Sequence, residues 1–113
     1  MKKIILPFLF LIMTLSSCMD KATITIQNNR SNDTLERVSW DTYFISRTLL
    51  PGEKSTHTIS DIETEFPKEA RVKFYMKRDG YRAHFETRYR FILDIDDNLL
   101  IIITDTTRLI MLN

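Results

Sequence analysis

The chain predicts an all-β fold, with about seven to eight short strands packed antiparallel around one core. Three observations carry that expectation. Apolar and polar residues alternate along most of the chain beyond residue 20, and no segment there sustains the 3.6-residue period of an amphipathic helix. Turn-forming clusters recur about every 8–12 residues, the spacing of successive strands in a sandwich or barrel. Asp79-Gly80 lies between two long alternating runs, a strong local signal for a two-residue hairpin.

Each element follows from local chemistry. Ala22, Ile24 and Ile26 alternate with Thr23, Thr25 and Gln27 to give a first strand. Residues 28–33, Asn-Asn-Arg-Ser-Asn-Asp, form a run of turn formers. Leu35, Val38 and Trp40 mark a second strand whose phase slips between Leu35 and Val38; a β-bulge accounts for the slip. Tyr43 to Leu49 is a third strand, closed by Pro51-Gly52, where Pro sets φ and Gly tolerates positive φ. Lys54 to Ser60 is rich in Thr and Ser and is expected near a sheet edge, and Glu63 to Lys68 is a loop or a single helical turn.

The hairpin is the most sharply specified pair. Ala70, Val72, Phe74 and Met76 alternate with polar neighbours, as do Tyr81, Ala83, Phe85, Thr87, Tyr89, Phe91 and Leu93 after the turn. Counting outward from Asp79-Gly80 sets Met76 opposite Ala83 and Phe74 opposite Phe85, so both apolar sets share one face. Asp94 to Asn98 is a carboxylate-rich turn. Leu99 to Thr104 is a short continuous apolar run, the signature of a buried strand. Asp105-Thr106-Thr107 then turns the chain into a last strand, Arg108 to Leu112. An immunoglobulin-like or transthyretin-like antiparallel β-sandwich accommodates this order, with a small closed barrel as the alternative.

Composition sets further bounds. At 113 residues the chain holds one ordinary domain, and 43% apolar with 11% aromatic content is enough to build a core. A single Cys excludes a disulfide within the chain. Sixteen basic and fifteen acidic side chains leave a formal charge of +1, which gives no reason to expect nucleic acid as a partner. No glycine-rich phosphate loop, dinucleotide fingerprint or nucleophile elbow is present, and no cofactor is expected.

The first residues read as an export signal. Lys2 and Lys3 precede an apolar stretch from Ile4 to Thr14 that is too short to span a bilayer as a helix. Leu15-Ser16-Ser17-Cys18 follows and resembles the lipobox of bacterial lipoproteins. That resemblance implies cleavage before Cys18, a diacylglyceryl group on its thiol and an acylated new amine. It divides the chain into a signal at 1–17, a lipidated tether at 18–20 and one β-sandwich domain at 21–113. In enteric-type lipoproteins an Asp directly after the Cys favours the inner membrane. Here Met19 intervenes before Asp20, so the outer membrane is expected, with the lipid anchor as the membrane contact. The layout also resembles a loose group of small Gram-negative lipoproteins of unknown function. The shared features are ITIQNNRSNDTL, Val38-Ser39-Trp40, Pro51-Gly52-Glu53 and a Tyr/Phe-rich hairpin. This resemblance implies a fold and transfers no catalytic residue.

The outward face of the hairpin is the leading binding surface. The register places Lys73 opposite Glu86, Tyr75 opposite His84, Lys77 opposite Arg82, Arg71 opposite Arg88 and Glu69 opposite Arg90. Like charges directly opposite one another destabilise a sheet, so an Arg71–Arg88 pair points to an anionic partner such as lipopolysaccharide phosphate, an anionic glycan or an acidic protein patch. A solvated, association-resistant face is the plainer explanation. Asp94, Asp96 and Asp97 could gather calcium, yet Leu99 and Asp105 occupy the positions where a calcium loop needs Gly and Glu. His57 and His84 lack a third converging zinc ligand. Trp40 is a core residue by default and a sugar platform otherwise. Thr34 and Thr106, in Asp-Thr turns, resemble acceptors for O-glycosylation of exported proteins. The expected role is non-enzymatic binding at the outer membrane. Inhibition of a periplasmic lysozyme or protease is the alternative, and a small enzyme is the third reading.

Overall fold

The computed structural model describes residues 20–112, and every structural statement below concerns them. Ten strands form: β1 (Lys21–Asn29), β2 (Thr34–Trp40), β3 (Tyr43–Leu49), β4 (Lys54–Ser60), β5 (Lys68–Ala70), β6 (Val72–Arg78), β7 (Tyr81–Thr87), β8 (Phe91–Leu93), β9 (Asn98–Thr104) and β10 (Leu109–Leu112). They make a three-stranded sheet ordered β4-β1-β9, a five-stranded sheet ordered β10-β7-β6-β2-β3, and a two-stranded ribbon of β5 and β8. The fold is an all-β sandwich, and the sheets do not close into the alternative barrel.

Alternation produces the core. Ala22, Ile24 and Ile26 of β1 face Leu35, Val38, Trp40, Val72 and Phe74 of the larger sheet, while Thr23, Thr25 and Gln27 point out. Ile59, Ile101 and Ile103 complete the smaller sheet's inner face. Burying such side chains contributes about 1.5–3 kcal/mol each, before the entropy of ordering the chain is set against it. Trp40 is fully buried and donates its indole N–H to the Ala70 carbonyl at 3.1 Å, which fits the core role and not the sugar platform.

Two features depart from expectation. β9 runs parallel to β1, with Ile26 opposite Ile101, whereas antiparallel pairing was expected throughout. The eight expected strands also become ten because each long hairpin arm breaks once. The register Lys73↔Glu86 gives way to Ala70↔Phe91, so Arg71 and Val72 stand against the four residues from Thr87 to Arg90. Thr87 holds this offset. Its buried hydroxyl accepts the Val72 N–H at 3.0 Å and donates to the Tyr89 carbonyl at 2.8 Å. The ribbon beyond the break adds Ala70 and Leu93 to the core.

The turn after β1 is organised by Asn28, also fully buried. Its amide donates to the carbonyls of Asp33 and Leu49, both at 2.8 Å, and its oxygen accepts the Arg30 N–H at 3.0 Å. With these partners the buried amide is satisfied and fixes the start of β2. β4 lies at the edge of its sheet, as its Thr/Ser content suggested.

Candidate functional site

The outward face of the five-stranded sheet collects the predicted residues and some that were not predicted. Tyr75 and His84 are cross-strand partners whose rings stack with centroids 4.3 Å apart and planes 10° from parallel. The Arg82 guanidinium lies 3.9 Å from the Tyr75 centroid, and its Nε meets Glu36 Oε1 at 3.0 Å. The imidazole and the guanidinium both pack on the Tyr75 ring, so this tyrosine helps to position Arg82. Lys77 and Arg82 are direct partners, as the register required.

The Arg71–Arg88 opposition does not occur. The ladder stops at Lys73↔Glu86, and the extra residues after Thr87 carry Arg88 out of register. Arg71 instead donates to the Arg88 carbonyl at 3.4 Å and lies 3.7 Å from Glu86. The Glu69–Arg90 pairing fails for the same reason, since Glu69 pairs with Ile92. Around this end of the face, Asp41, Glu69 and Glu86 stand among Arg71, Lys73 and Arg90, so its charge is close to balanced. No opposed pair of arginines at this end therefore calls for an anionic partner.

A stronger motive appears near the hairpin tip. β2 carries the expected bulge: Arg37 and Val38 stand against Phe74 alone, between Glu36↔Tyr75 and Ser39↔Lys73. Arg37 takes φ 50°, a left-handed conformation that costs a non-glycine residue about 1–2 kcal/mol. An open recess of about 510 Å³ is lined by Arg37, Arg47, Lys77, Arg82, Glu36 and Gly80, among others. Arg82 is paired with Glu36. Arg37, Arg47 and Lys77 are exposed and, among the described residues, have no carboxylate within 4.0 Å. Three uncompensated cations from three strands thus surround one opening. Arg37 and Arg47 lie outside the hairpin, so its register alone could not reveal them; the phase slip in β2 was the available signal.

The opposite face of the hairpin tip holds a different ion cluster. Asp33 is 1% exposed and takes Arg78 Nε at 2.6 Å, Arg78 Nη2 at 3.0 Å and Arg30 Nε in addition. Burial alone would raise the Asp33 pKa, but hydrogen bonds and charge from Arg78 and Arg30 outweigh it and hold the carboxyl below its ordinary value. Asp105 is held low by hydrogen bonds from the Ser31 hydroxyl and N–H. These contacts lock the turn after β1 to the hairpin tip and the β9–β10 turn.

The other predicted residues take structural places. In the Asp94–Asn98 turn, Asp97 accepts the Asp94 N–H and Asp94 accepts the Ile95 N–H, both at 2.8 Å. Among the described residues no group of three or more His, Cys, Asp or Glu could hold a metal ion. His57 is half-buried, with its ring 6.1 Å from that of Tyr43. Thr106 is exposed in the β9–β10 turn, whereas Thr34 is the first residue of β2 and pairs with Lys77, inside a strand and not in a turn. Cys18 and the predicted signal lie outside the described residues. No protein-family model, curated protein or solved structure matches the chain.

Proposed function

We propose that this chain is a lipoprotein anchored in the outer membrane through Cys18, and that its sandwich is a non-enzymatic module binding an anionic glycan. The observation that carries the reading is the recess ringed by Arg37, Arg47 and Lys77, none of which has a carboxylate within 4.0 Å among the described residues, while Glu36 is taken by Arg82. Solvated cations clustered this way raise the local concentration of anions and steer them in. The bulge supports the reading, because it holds Arg37 toward the recess at an energetic cost. The recess walls carry no aromatic ring, so charge and hydrogen bonds, not stacking, hold the ligand, and sulfate or phosphate groups on a glycan supply that charge.

Placement agrees with an anchored role. β1 starts at Lys21, three positions after Cys18, and its nine residues carry the chain about 30 Å. The recess adjoins the start of β2, reached from the far end of β1, and so lies away from the anchored end.

The test uses the lipoprotein purified in detergent and an immobilised glycan bearing sulfate or phosphate groups. Retention should weaken steeply with added salt. The triple variant Arg37→Glu/Arg47→Glu/Lys77→Glu should lose retention, while Arg88→Glu/Arg90→Glu, at the balanced end, should keep most of it. Equal retention of both variants would overturn the assignment of this recess.

A further inference from the structure

We infer that two copies of this chain associate edge to edge through β9, antiparallel about Ile101, joining two three-stranded sheets into one of six strands. The inference stands apart from the anionic-glycan reading and rests on different residues.

The starting point is a mismatch between sequence and surroundings. Residues 99–103 read Leu-Leu-Ile-Ile-Ile, and no charge occurs from Asn98 through Thr104. Near-continuous apolar runs belong to strands covered on both faces. β9 is not covered in that way: it ends its sheet, pairs only with β1, and leaves Leu100 51% and Ile102 43% exposed. The other terminal strands of the two main sheets are guarded differently, and in the ribbon the uncharged β8 is only three residues long. β4 carries Lys54 and His57, and β3 carries Arg47, the usual devices against edge pairing. β10 is uncharged, with Ile110 and Met111 exposed, but is only four residues long. β9 is thus the one long uncharged terminal strand among the described residues.

The open edge of β9 is complementary to a second copy of itself. Thr23 donates its N–H to the Asp97 carbonyl, so odd-numbered residues of β9 bond to β1. Leu100 and Ile102 therefore aim their own N–H and C=O groups at the open edge. A two-fold axis at Ile101 sets Leu100 opposite Ile102 of the partner subunit, and Asn98 opposite Thr104 of the partner subunit. Apolar meets apolar, polar meets polar, and the hydrogen-bonding residues face one another in phase. Like charges, which a two-fold axis would bring together in most strands, are absent here. A slip of one residue would set groups already bonded to β1 opposite the open-edge groups of Leu100 and Ile102, and a slip of two would set Asn98 against an isoleucine or Leu100 against a threonine, so both the hydrogen-bond phase and the polarity favour the axis at Ile101. The contact is isologous and closes at two copies.

The full-length chain in detergent should sediment as a dimer. The variant Leu100→Lys/Ile102→Lys sets ammonium groups opposite one another and should raise the dimer dissociation constant by at least about tenfold. Both side chains point to solvent in the monomer, so an unchanged circular-dichroism melt would show that the fold survives. Co-expression of one tagged copy bearing Leu100→Cys with another bearing Ile102→Cys should give an oxidised heterodimer, whereas a pair of Asn98→Cys copies should not. A monomer at every accessible concentration overturns the inference. So does a double-lysine variant that dimerises like the parent, or cross-linking at position 98 in preference to 100–102.

Discussion

Replacing Asp33 by Asn removes one charge from the most constrained ion cluster in the domain and keeps the side chain's shape. Two guanidiniums then lose their carboxylate. Hydrogen bonds to charged groups contribute about 1.5–3 kcal/mol, and stripping one partner from a buried pair costs about 3–5 kcal/mol. Arg78 is 52% exposed along its side chain and can turn back to water, so the lower range applies, about 2–3 kcal/mol. For a domain of this size the urea slope is about 1 kcal/mol/M, so the midpoint should fall by about 2–3 M. The acid limb gives a second reading. The Asp33 pKa is depressed below its ordinary 3.8, so its stabilisation is present above that value and is lost as pH falls through the lower folded value. Urea unfolding followed by Trp40 fluorescence from pH 7 to pH 2 should show the Asn variant losing less stability than the parent across the acid limb. An equal midpoint at pH 7, or a gap that stays constant into strong acid, would refute the claim that this carboxylate locks the turn to the hairpin tip.

Three more outcomes follow from the same geometry. Arg37→Gly relieves the left-handed backbone at the bulge, so thermal stability should hold or rise by about 0.5–1 kcal/mol while retention on the anionic glycan falls; lower stability would show that the strain is absent. Thr87→Val leaves the buried Val72 N–H without its acceptor and should cost about 1–3 kcal/mol by thermal unfolding, whereas Thr87→Ser should recover most of it. Cys18→Ser removes the thiol that the lipoprotein reading requires, so acyl labelling should vanish and the chain should leave the membrane fraction; unchanged partition would remove the anchor.

The legible parts of the fold were those where one side chain decides one thing. Alternation in β1 and in the hairpin fixed which residues face inward, and Asp79-Gly80 fixed the register from Lys73 to Arg78. The break beyond Lys73 was not legible. It depends on Thr87, which continues the apolar alternation in sequence but spends its hydroxyl on the Val72 amide. A threonine gives no advance notice of which backbone group it will bind. The parallel β1–β9 pairing was hidden for another reason: residues 99–103 announce burial, and burial does not say beside which strand or in which direction.

The binding face shows the same division. A hairpin register sees only two strands, but the outward surface belongs to five. Glu36, one strand further on, neutralises Arg82 and converts part of the predicted basic face into an ion pair. Arg47 lies two strands away from the hairpin and adds charge where none had been counted. The phase slip at Leu35–Val38 joins the two levels. Read along the chain it marks a bulge, and only the folded sheet shows that the residue displaced by it is an arginine beside Lys77 and Arg47. A bulge that merely added twist could carry Gly or Asn at the left-handed position at little cost. An arginine there has to be offset by the rest of the fold, which is why Arg37→Gly, stable but weakly binding, separates a surface selected for solubility from one selected for an anion.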